Sequence, residues 1–259
     1  MTRTIIATLL LLAALASGAQ AADREKLLTD PDIYGTYAVF AVDEDWHKLD
    51  KAAKDAALAD AKRVFQKHAE QVTTDTYLLR GLTDRADIMV RVHSTELLHN
   101  QNFLVDFMGC ALGKYLESVY IFNGLTKKAN YVPGFPDDLK AVLKTLPDQG
   151  PKPYAIVVPI KKDAEWWQLS QDARTELMKE HTEATAAYLK TVKRKLYHSS
   201  GLDDMDFLTY FETAKLDDFN NLIIALERVK ENKHNRRFGH PTVIGTIRPL
   251  DEILDILAR

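Results

Sequence analysis

The sequence predicts an α+β protein in which two tandem ferredoxin-like units, each with the order β-α-β-β-α, pack as a dimeric α+β barrel. Three observations lead to this prediction. Segments with the periods of strands and of helices alternate along the chain, and the same order begins again after a proline-rich stretch. Short pieces of the two halves are also similar: residues 37–39 (YAV) resemble 154–156 (YAI), and residues 81–84 (GLTD) resemble 201–204 (GLDD).

A unit of this order leaves one face of its antiparallel sheet without helices. Two such faces can pack on each other and form a barrel-like core. The alternative is two separate sandwiches joined by a linker. The predicted domains are residues 22–150 for the first unit and residues 151–259 for the second.

The first 21 residues have the features of a secretory signal peptide. Arg3 supplies a positive charge, and residues 5–16 form an apolar run that is too short for a transmembrane helix. Residues 19–21 (AQA) match a cleavage site. We therefore expect cleavage after Ala21 and a periplasmic protein, with an uncleaved N-terminal anchor as the alternative.

The elements of the first unit follow from period-two runs rich in β-branched and aromatic residues and from Ala- and Lys-rich helical runs. In order, they are a strand at 36–42, a helix at 50–72, strands at 76–82 and 87–92 joined by a polar turn, and a helix at 95–112. Residues 125–153 hold five of the nine prolines and read as a connection with one short helix at 137–145.

The second unit repeats the order. Ser170 is a candidate N-cap for a helix that extends to about residue 190. The predicted strands are 154–160, 192–197, 206–212 and 242–247, and the other helices are 216–230 and 250–257.

Composition excludes several classes of function. The 259 residues are 46% hydrophobic and 27% charged, which is typical of a folded domain, and the formal net charge of −3 argues against binding to nucleic acid or to an anionic membrane. The single cysteine, Cys110, excludes an internal disulfide, a Cys-rich zinc site and a covalent C-x-x-C-H haem attachment. Motifs for serine hydrolases, P-loops, dinucleotide binding and zinc proteases are missing from the sequence.

One histidine has an unusual position. Leu177, His181, Ala184 and Tyr188 share one stripe of the predicted 170–190 helix, so His181 should be buried. It is either a core histidine bonded to a backbone carbonyl or a metal or haem ligand that points into the core.

One arginine is equally unusual. A period of two places Val192, Arg194 and Leu196 on one face of their strand, where Thr209 and Phe211 of the next strand could share a wall with them. A cation among apolar neighbours needs an anion. That anion is either a nearby Asp or Glu or a bound ligand.

Two further segments carry candidate site residues. Residues 161–167 (KKDAEWW) place Trp166 and Trp167 side by side near Lys162, either as a plug at the sheet edge or as an aromatic wall beside a carboxylate-bearing cofactor. Glu231 lies in a cation-rich helix end at 229–237, where surface ion pairing would contribute little.

Five segments resemble those of chlorite dismutases, which are haem b enzymes that convert chlorite to chloride and dioxygen. They are residues 161–169 (KKDAEWWQL), 180–181 (EH), 191–201 (TVKRKLYHSSG), 206–213 (DFLTYFET) and 229–239. The resemblance extends over nearly all of the chain after residue 21 and is to the long, periplasmic form.

The resemblance implies a role for each residue singled out above. His181 would be the proximal ligand of the haem iron, Glu231 would accept a hydrogen bond from its other ring nitrogen, and Arg194 would be the distal catalytic residue. The other residues implied at the haem are Leu196, Thr209 and Phe211 on the distal side, Lys162, Trp166 and Trp167 near the propionates, and Asn130 and Tyr131 from the first unit.

By the same resemblance, one non-covalent haem b per subunit would take an oxygen atom from chlorite. This step would give a ferryl haem and a hypochlorite that Arg194 holds until the O–O bond forms. Long-form relatives are usually homopentamers, so further copies of the chain are the implied partners. The alternatives are a non-catalytic periplasmic haem-binding protein, a haem peroxidase, and a coproheme decarboxylase of the same superfamily, which typically lacks the distal arginine.

Overall fold

The computed structural model describes residues 21–128, 132–143 and 152–259. The signal-peptide prediction, except for Ala21, and the predicted haem contacts Asn130 and Tyr131 lie outside the described residues, as does the predicted domain boundary at residue 150. None of the helices in the described part of the chain is long and apolar enough to span a membrane.

Antiparallel strands form the centre of the molecule. They are β1 Tyr34–Val42, β2 Thr73–Leu78, β3 Ile88–Ser94, β4 Leu116–Leu125, β5 Tyr154–Lys162, β6 Val192–His198, β7 Phe207–Thr213, β8 Asn235–Phe238 and β9 Val243–Arg248. Their order is β7-β6-β4-β1-β3-β2-β9-β5, and β5 also pairs with β7, which closes the ring; β8 adds to the far end of β5.

Helices cover the outside of this barrel. They are α1 Arg24–Thr29, α2 Glu44–Lys48, α3 Lys51–His68, α4 Leu97–Gly109, α5 Asp137–Leu143, α6 Ala164–Gln168, α7 Gln171–Thr185, α8 Leu216–Leu226 and α9 Leu250–Ala258. Short 3₁₀ turns follow some of them, among them Tyr188–Lys190 after α7 and Lys230–His234 after α8.

The two halves are joined through the sheet. Leu125 of β4 pairs with His198 of β6, and β2 pairs with β9. These pairings confirm the predicted barrel of two ferredoxin-like units and exclude two separate sandwiches on a linker. Gly81 and Gly201 occupy matching turns with φ near +84° and +80°, a conformation that glycine adopts without strain.

The alternation of the strands separates an interior core from two outer cores. In β1, Tyr37 and Val39 point into the barrel, whereas Ala38 and Phe40 point outward against α3, α4 and α9. In the second half, Val158 and Phe211 face the α7–α8 side. The outer face of each half is therefore where a helix layer meets the sheet.

Several predicted boundaries were wrong. The sequence reading left β4 unassigned and did not include α1, α2, α6 or β8. The helix predicted to extend to residue 190 ends at Thr185, and the helix predicted to extend to 230 ends at Leu226. In both cases the chain continues as a tighter turn instead of an α-helix.

Candidate active site

A pocket lies between the outer face of β6 and β7 and the helices α7 and α8. It holds about 1070 Å³ of space free of protein atoms, including its open mouth. Apolar side chains form most of its walls, namely Ile160, Leu189, Phe211, Leu222, Leu226 and Phe238. A site of this size and lining is suited to a large, mostly apolar ligand.

His181 faces this pocket from α7. The helix begins at Ser170, whose Oγ accepts a hydrogen bond from the amide of Ala173 at 3.2 Å. The face that lines the pocket carries Arg174, Met178, His181 and Thr185, with helical spacing. The prediction that Leu177 and Ala184 share the inner face of α7 with His181 was therefore wrong, because Leu177 lies on the outer side with Glu180.

The surroundings of His181 keep its imidazole neutral. Burial, with smaller effects of the charges of Arg194 and Lys162, lowers its pKa to about 3. Nδ1 lies 3.2 Å from Oε2 of Glu231, so the carboxylate favours the tautomer with the proton on Nδ1. Nε2 then carries the lone pair and is the nitrogen available to a metal.

Glu231 is buried and does not make the surface ion pair that its sequence context suggested. It lies in the 3₁₀ turn Lys230–His234 and is only 5% exposed. The amide of Asp163 donates to the carbonyl of His234 at 2.9 Å, which ties this turn to the end of β5. The Glu231 carboxylate is therefore held in a fixed position beside His181.

Lys162 supplies a positive charge beside the buried Glu231 carboxylate. Its ammonium group makes an ion pair with Glu231 and lies 4.2 Å from the ring centre of Trp166. Burial lowers the pKa of Lys162 to about 7, against the opposing effects of Asp163 and Asp206. The ion pair with Glu231 favours the protonated form of Lys162. Buried Lys162 and Glu231 and the partly exposed His181 form one connected chain.

Arg194 stands on the opposite wall of the pocket. In the β6–β7 hairpin Arg194 pairs with Phe211 and Leu196 pairs with Thr209, and all four line the pocket, as the sequence predicted. Among the described residues, no carboxylate lies within ion-pair distance of the Arg194 guanidinium. The alternative of an internal Asp or Glu partner is therefore not found, and its charge is available to an anion in the pocket.

The two tryptophans lie on α6, not in a loop. Asp163 caps this helix by accepting a hydrogen bond from the amide of Trp166 at 2.7 Å. Trp166 is buried, whereas Trp167 is 45% exposed and stacks on Phe207 with ring centres 6.0 Å apart. Both line the pocket, which agrees with the aromatic-wall interpretation.

The structure also brings in residues that the sequence reading did not select. Arg174 and Met178 line the pocket beside His181, and His198 lines it beyond Leu196 on β6. His198 could have been found, because it shares the face of Arg194 at a spacing of four residues. Arg174 and Met178 could not have been found, because their place at the pocket depends on which face of α7 turns towards it.

Comparisons with known proteins identify the family of this chain. Residues 54–248 match the family model described as chlorite dismutase. A curated chlorite dismutase from Ideonella dechloratans is 40% identical over 238 residues, covering 91% of this chain and 84% of that protein. A coproheme decarboxylase from Mycolicibacterium smegmatis is 26% identical over 211 residues, covering 78% of this chain and 85% of that protein.

A solved structure is also similar. Chlorite dismutase from Candidatus Nitrospira defluvii, in complex with imidazole, has a TM-score of 0.89 and 55% sequence identity. The match covers 92% of this chain and all of that chain. The likeness therefore includes both halves of the barrel and the pocket.

Proposed function

This chain belongs to the chlorite dismutase family, and we propose that it converts chlorite to chloride and dioxygen in the pocket between α7 and β6. The observation that carries the proposal is the Arg194 guanidinium, which faces His181 across an apolar pocket without an acidic partner among the described residues. This arrangement offers one ligand nitrogen and one fixed cation to a small anion.

The residues fit a haem b bound without covalent attachment, one per subunit. His181 offers a neutral imidazole whose Nδ1 is already bonded to Glu231, which is the usual support of a metal-bound histidine. The walls are apolar, as the faces of a porphyrin require, and Trp166 and Trp167 stand at one side. A contact of Lys162 with a propionate, which the resemblance implies, stays a prediction, because Glu231 already pairs with that lysine.

The bound haem would supply an iron centre that accepts one oxygen atom from chlorite and returns it to form dioxygen. The protein's own residues would bind and hold the reactants. Arg194 would attract chlorite and then hold hypochlorite, since a guanidinium stays charged and offers several donors in a fixed plane. Leu196, Thr209 and Phe211 would keep water away from that anion.

The connected chain Lys162–Glu231–His181 would set the electron donation of the ligand. Glu231 holds the proton at Nδ1 of His181, which strengthens the donor character of Nε2. Lys162 would pair with the buried Glu231 carboxylate and balance its charge. No proton transfer to or from substrate is needed, because the atoms of chlorite balance as chloride plus dioxygen.

We also propose export to the periplasm after removal of residues 1–21, and assembly into a homopentamer. The sequence features of the first 21 residues support export. The family resemblance supports the assembly. Size-exclusion chromatography with light scattering, on protein recovered from the periplasm and sequenced from its N-terminus, tests both.

The deciding experiment adds chlorite to the haem-loaded mature protein on an oxygen electrode and measures chloride in parallel. We expect one dioxygen and one chloride per chlorite. A protein that keeps its Soret band but releases no oxygen would contradict the enzymatic proposal and favour a haem-binding protein without this activity.

A further inference from the structure

The third pocket-facing residue of β6 has no role in the function proposed above. Arg194, Leu196 and His198 alternate along the strand and all line the pocket. At roughly 3.3 Å per residue, the backbone of His198 is about 13 Å from that of Arg194. The two side chains therefore serve different parts of the same pocket.

His198 occupies the open end. Its ring packs against Phe207 at 5.2 Å between centres, and Phe207 stacks on the exposed Trp167. The opposite end, around Phe211 and Leu222, is buried. Neither ring nitrogen of His198 has a hydrogen-bond partner among the described residues, although the side chain is half-buried.

Lys127 adds positive charge at this end. Leu125, the last residue of β4, pairs directly with His198, and the chain continues to the exposed Lys127. Burial, followed by the charge of Lys127, lowers the pKa of His198. Lys127 therefore follows directly on the end of β4 that pairs with His198, and its charge opposes protonation of the imidazole.

The charges around the pocket are unbalanced. Arg174, Arg194 and Lys162 line it, and the one carboxylate among the described lining residues is Glu231, which is already engaged by Lys162 and His181. β7 contributes the uncharged Phe207 and Thr209 near His198. A partly enclosed site with more cationic than acidic side chains favours the binding of anions.

We propose that His198, supported by Lys127, is a second anion-binding position of the pocket, at its open end and separate from Arg194. It would take an oxygen-bearing monoanion, which is either a carboxylate of the bound tetrapyrrole or a small oxyanion on its way to Arg194. Only the identity of the anion rests on the proposed function. The binding position rests on the geometry of β6 and β4.

The small-anion arm uses the full chain without haem and follows the ring protons of His198 by NMR as a function of pH. Saturating sodium nitrite, a bent oxyanion like chlorite, should raise the pKa of His198 by about one unit, because a nearby anion stabilises the imidazolium. Lys127→Met should raise the pKa of His198 without nitrite and weaken nitrite binding. Lys128→Met, at the next position, is the matched control and should do neither.

The carboxylate arm compares protoporphyrin IX with its dimethyl ester, which lacks both carboxylates, by quenching of tryptophan fluorescence. The wild-type chain should prefer the diacid, and His198→Phe should reduce that preference about tenfold, as expected for loss of a hydrogen bond to a charged group. His198→Gln, which keeps a donor, should retain most of the preference. The unfolding free energy of each variant checks that the fold is intact.

The outcomes separate the two sources. A nitrite-induced pKa shift without a change in porphyrin preference supports the small oxyanion, and the reverse supports the carboxylate. If nitrite leaves the titration of His198 unchanged and His198→Phe keeps the full preference for the diacid, the proposal is overturned. Failure of chlorite turnover in the haem-loaded wild type would instead count against the proposed function, because both arms are measured without haem.

Discussion

Arg194 and His181 line the same pocket from opposite walls, and their surroundings make the consequences of replacing them different. His181 has a buried partner in Glu231, whereas Arg194 pairs with no carboxylate in the described part of the chain. Loss of the histidine should therefore affect the binding of the cofactor. Loss of the arginine should affect the handling of the anion.

Arg194→Gln should keep haem but lower kcat/KM for chlorite by roughly 10- to 100-fold, because loss of a hydrogen bond to a charged group costs about 1.5–3 kcal/mol. It should also shorten the time until inactivation, since the proposed hypochlorite would no longer be held. Oxygen-electrode progress curves measure both effects. Arg236→Gln, at an exposed position on β8, is the control, and equal turnover number and lifetime in the two variants would contradict the role of Arg194.

His181→Ala should lose haem or its native spectrum, because the proposed ligand nitrogen is removed. Haem titration followed at the Soret band provides the measurement. His47→Ala, in the exposed last turn of α2, should bind as the wild type does. An unaltered Soret band in His181→Ala would exclude this residue as the ligand.

The depressed pKa of His181 predicts a pH dependence of stability in the haem-free chain. Unfolded histidine binds a proton below about pH 6.5, but the folded chain does not bind one at His181 until about pH 3. The unfolded state therefore binds more protons in this window, and stability is lost as the pH falls from about 6.5 to 3. Urea unfolding should show a weaker loss over this window in His181→Gln, and identical slopes would contradict the assignment.

At the scale of elements, α7 and the β6–β7 hairpin bring the two walls of the pocket together. The hairpin register is fixed by the pairing of Arg194 with Phe211 and of Leu196 with Thr209, and a slip by one residue would turn Arg194 into the barrel. The position of α7 depends on its first turn, where Ser170 satisfies the amide of Ala173.

Ser170→Ala should lower the unfolding free energy by about 1 kcal/mol, which is typical for loss of an N-cap. Chemical denaturation measures it. Ser170→Asp keeps a capping oxygen and adds a favourable charge at the helix start, so it should be close to wild type. Equal losses in both variants would show that the cap does not stabilise α7.

Elements were predictable where their periods were regular. Seven of the described strands and the long helices α3 and α7 were predicted, whereas β4 contains a bulge opposite Val39 and Phe40, so that Val119 is an extra residue and the period of two is broken. The phase of α7 was unpredictable for another reason. Its inner face borders a ligand pocket, so polar Arg174 and Thr185 stand where a packed core would have apolar side chains.

At the scale of the molecule, the closed ring of strands joins the two halves into one structure. The β4–β6 and β2–β9 pairings connect the halves, and the barrel interior contains residues from both, such as Tyr77 and Tyr210, whose hydroxyls are 2.9 Å apart. The similarity of the halves in sequence predicted this packing. The proposed roles at the haem depended on family motifs, because residue spacing alone did not decide between a structural and a functional role for His181 and Arg194.

Leu257→Ala should destabilise the chain by roughly 2–5 kcal/mol, since this side chain of α9 is fully buried. Because the ring is shared, both halves should unfold in one transition. Trp46 lies in the first half, and Trp166 and Trp167 lie in the second. Trp→Phe replacement in one half leaves only the tryptophan fluorescence of the other half. In both variants, the fluorescence should change at the same urea concentration. Two separate midpoints would show that the halves unfold independently.

The last helix gives the two copies of the fold different roles. In the first half, α9 lies over the surface that corresponds to the pocket wall of the second half, and the indole of Trp46 donates to the carbonyl of Leu257 at 2.8 Å. The space free of protein atoms there is about 260 Å³, against about 1070 Å³ in the pocket of the second half. Substitutions in the first half, which has no open pocket there, should therefore be limited by the requirements of folding. Substitutions in the second half should also be limited by the ligand. Random mutagenesis with separate selections for abundance and for activity should therefore find the substitutions that reduce only activity mainly in the second half of the chain.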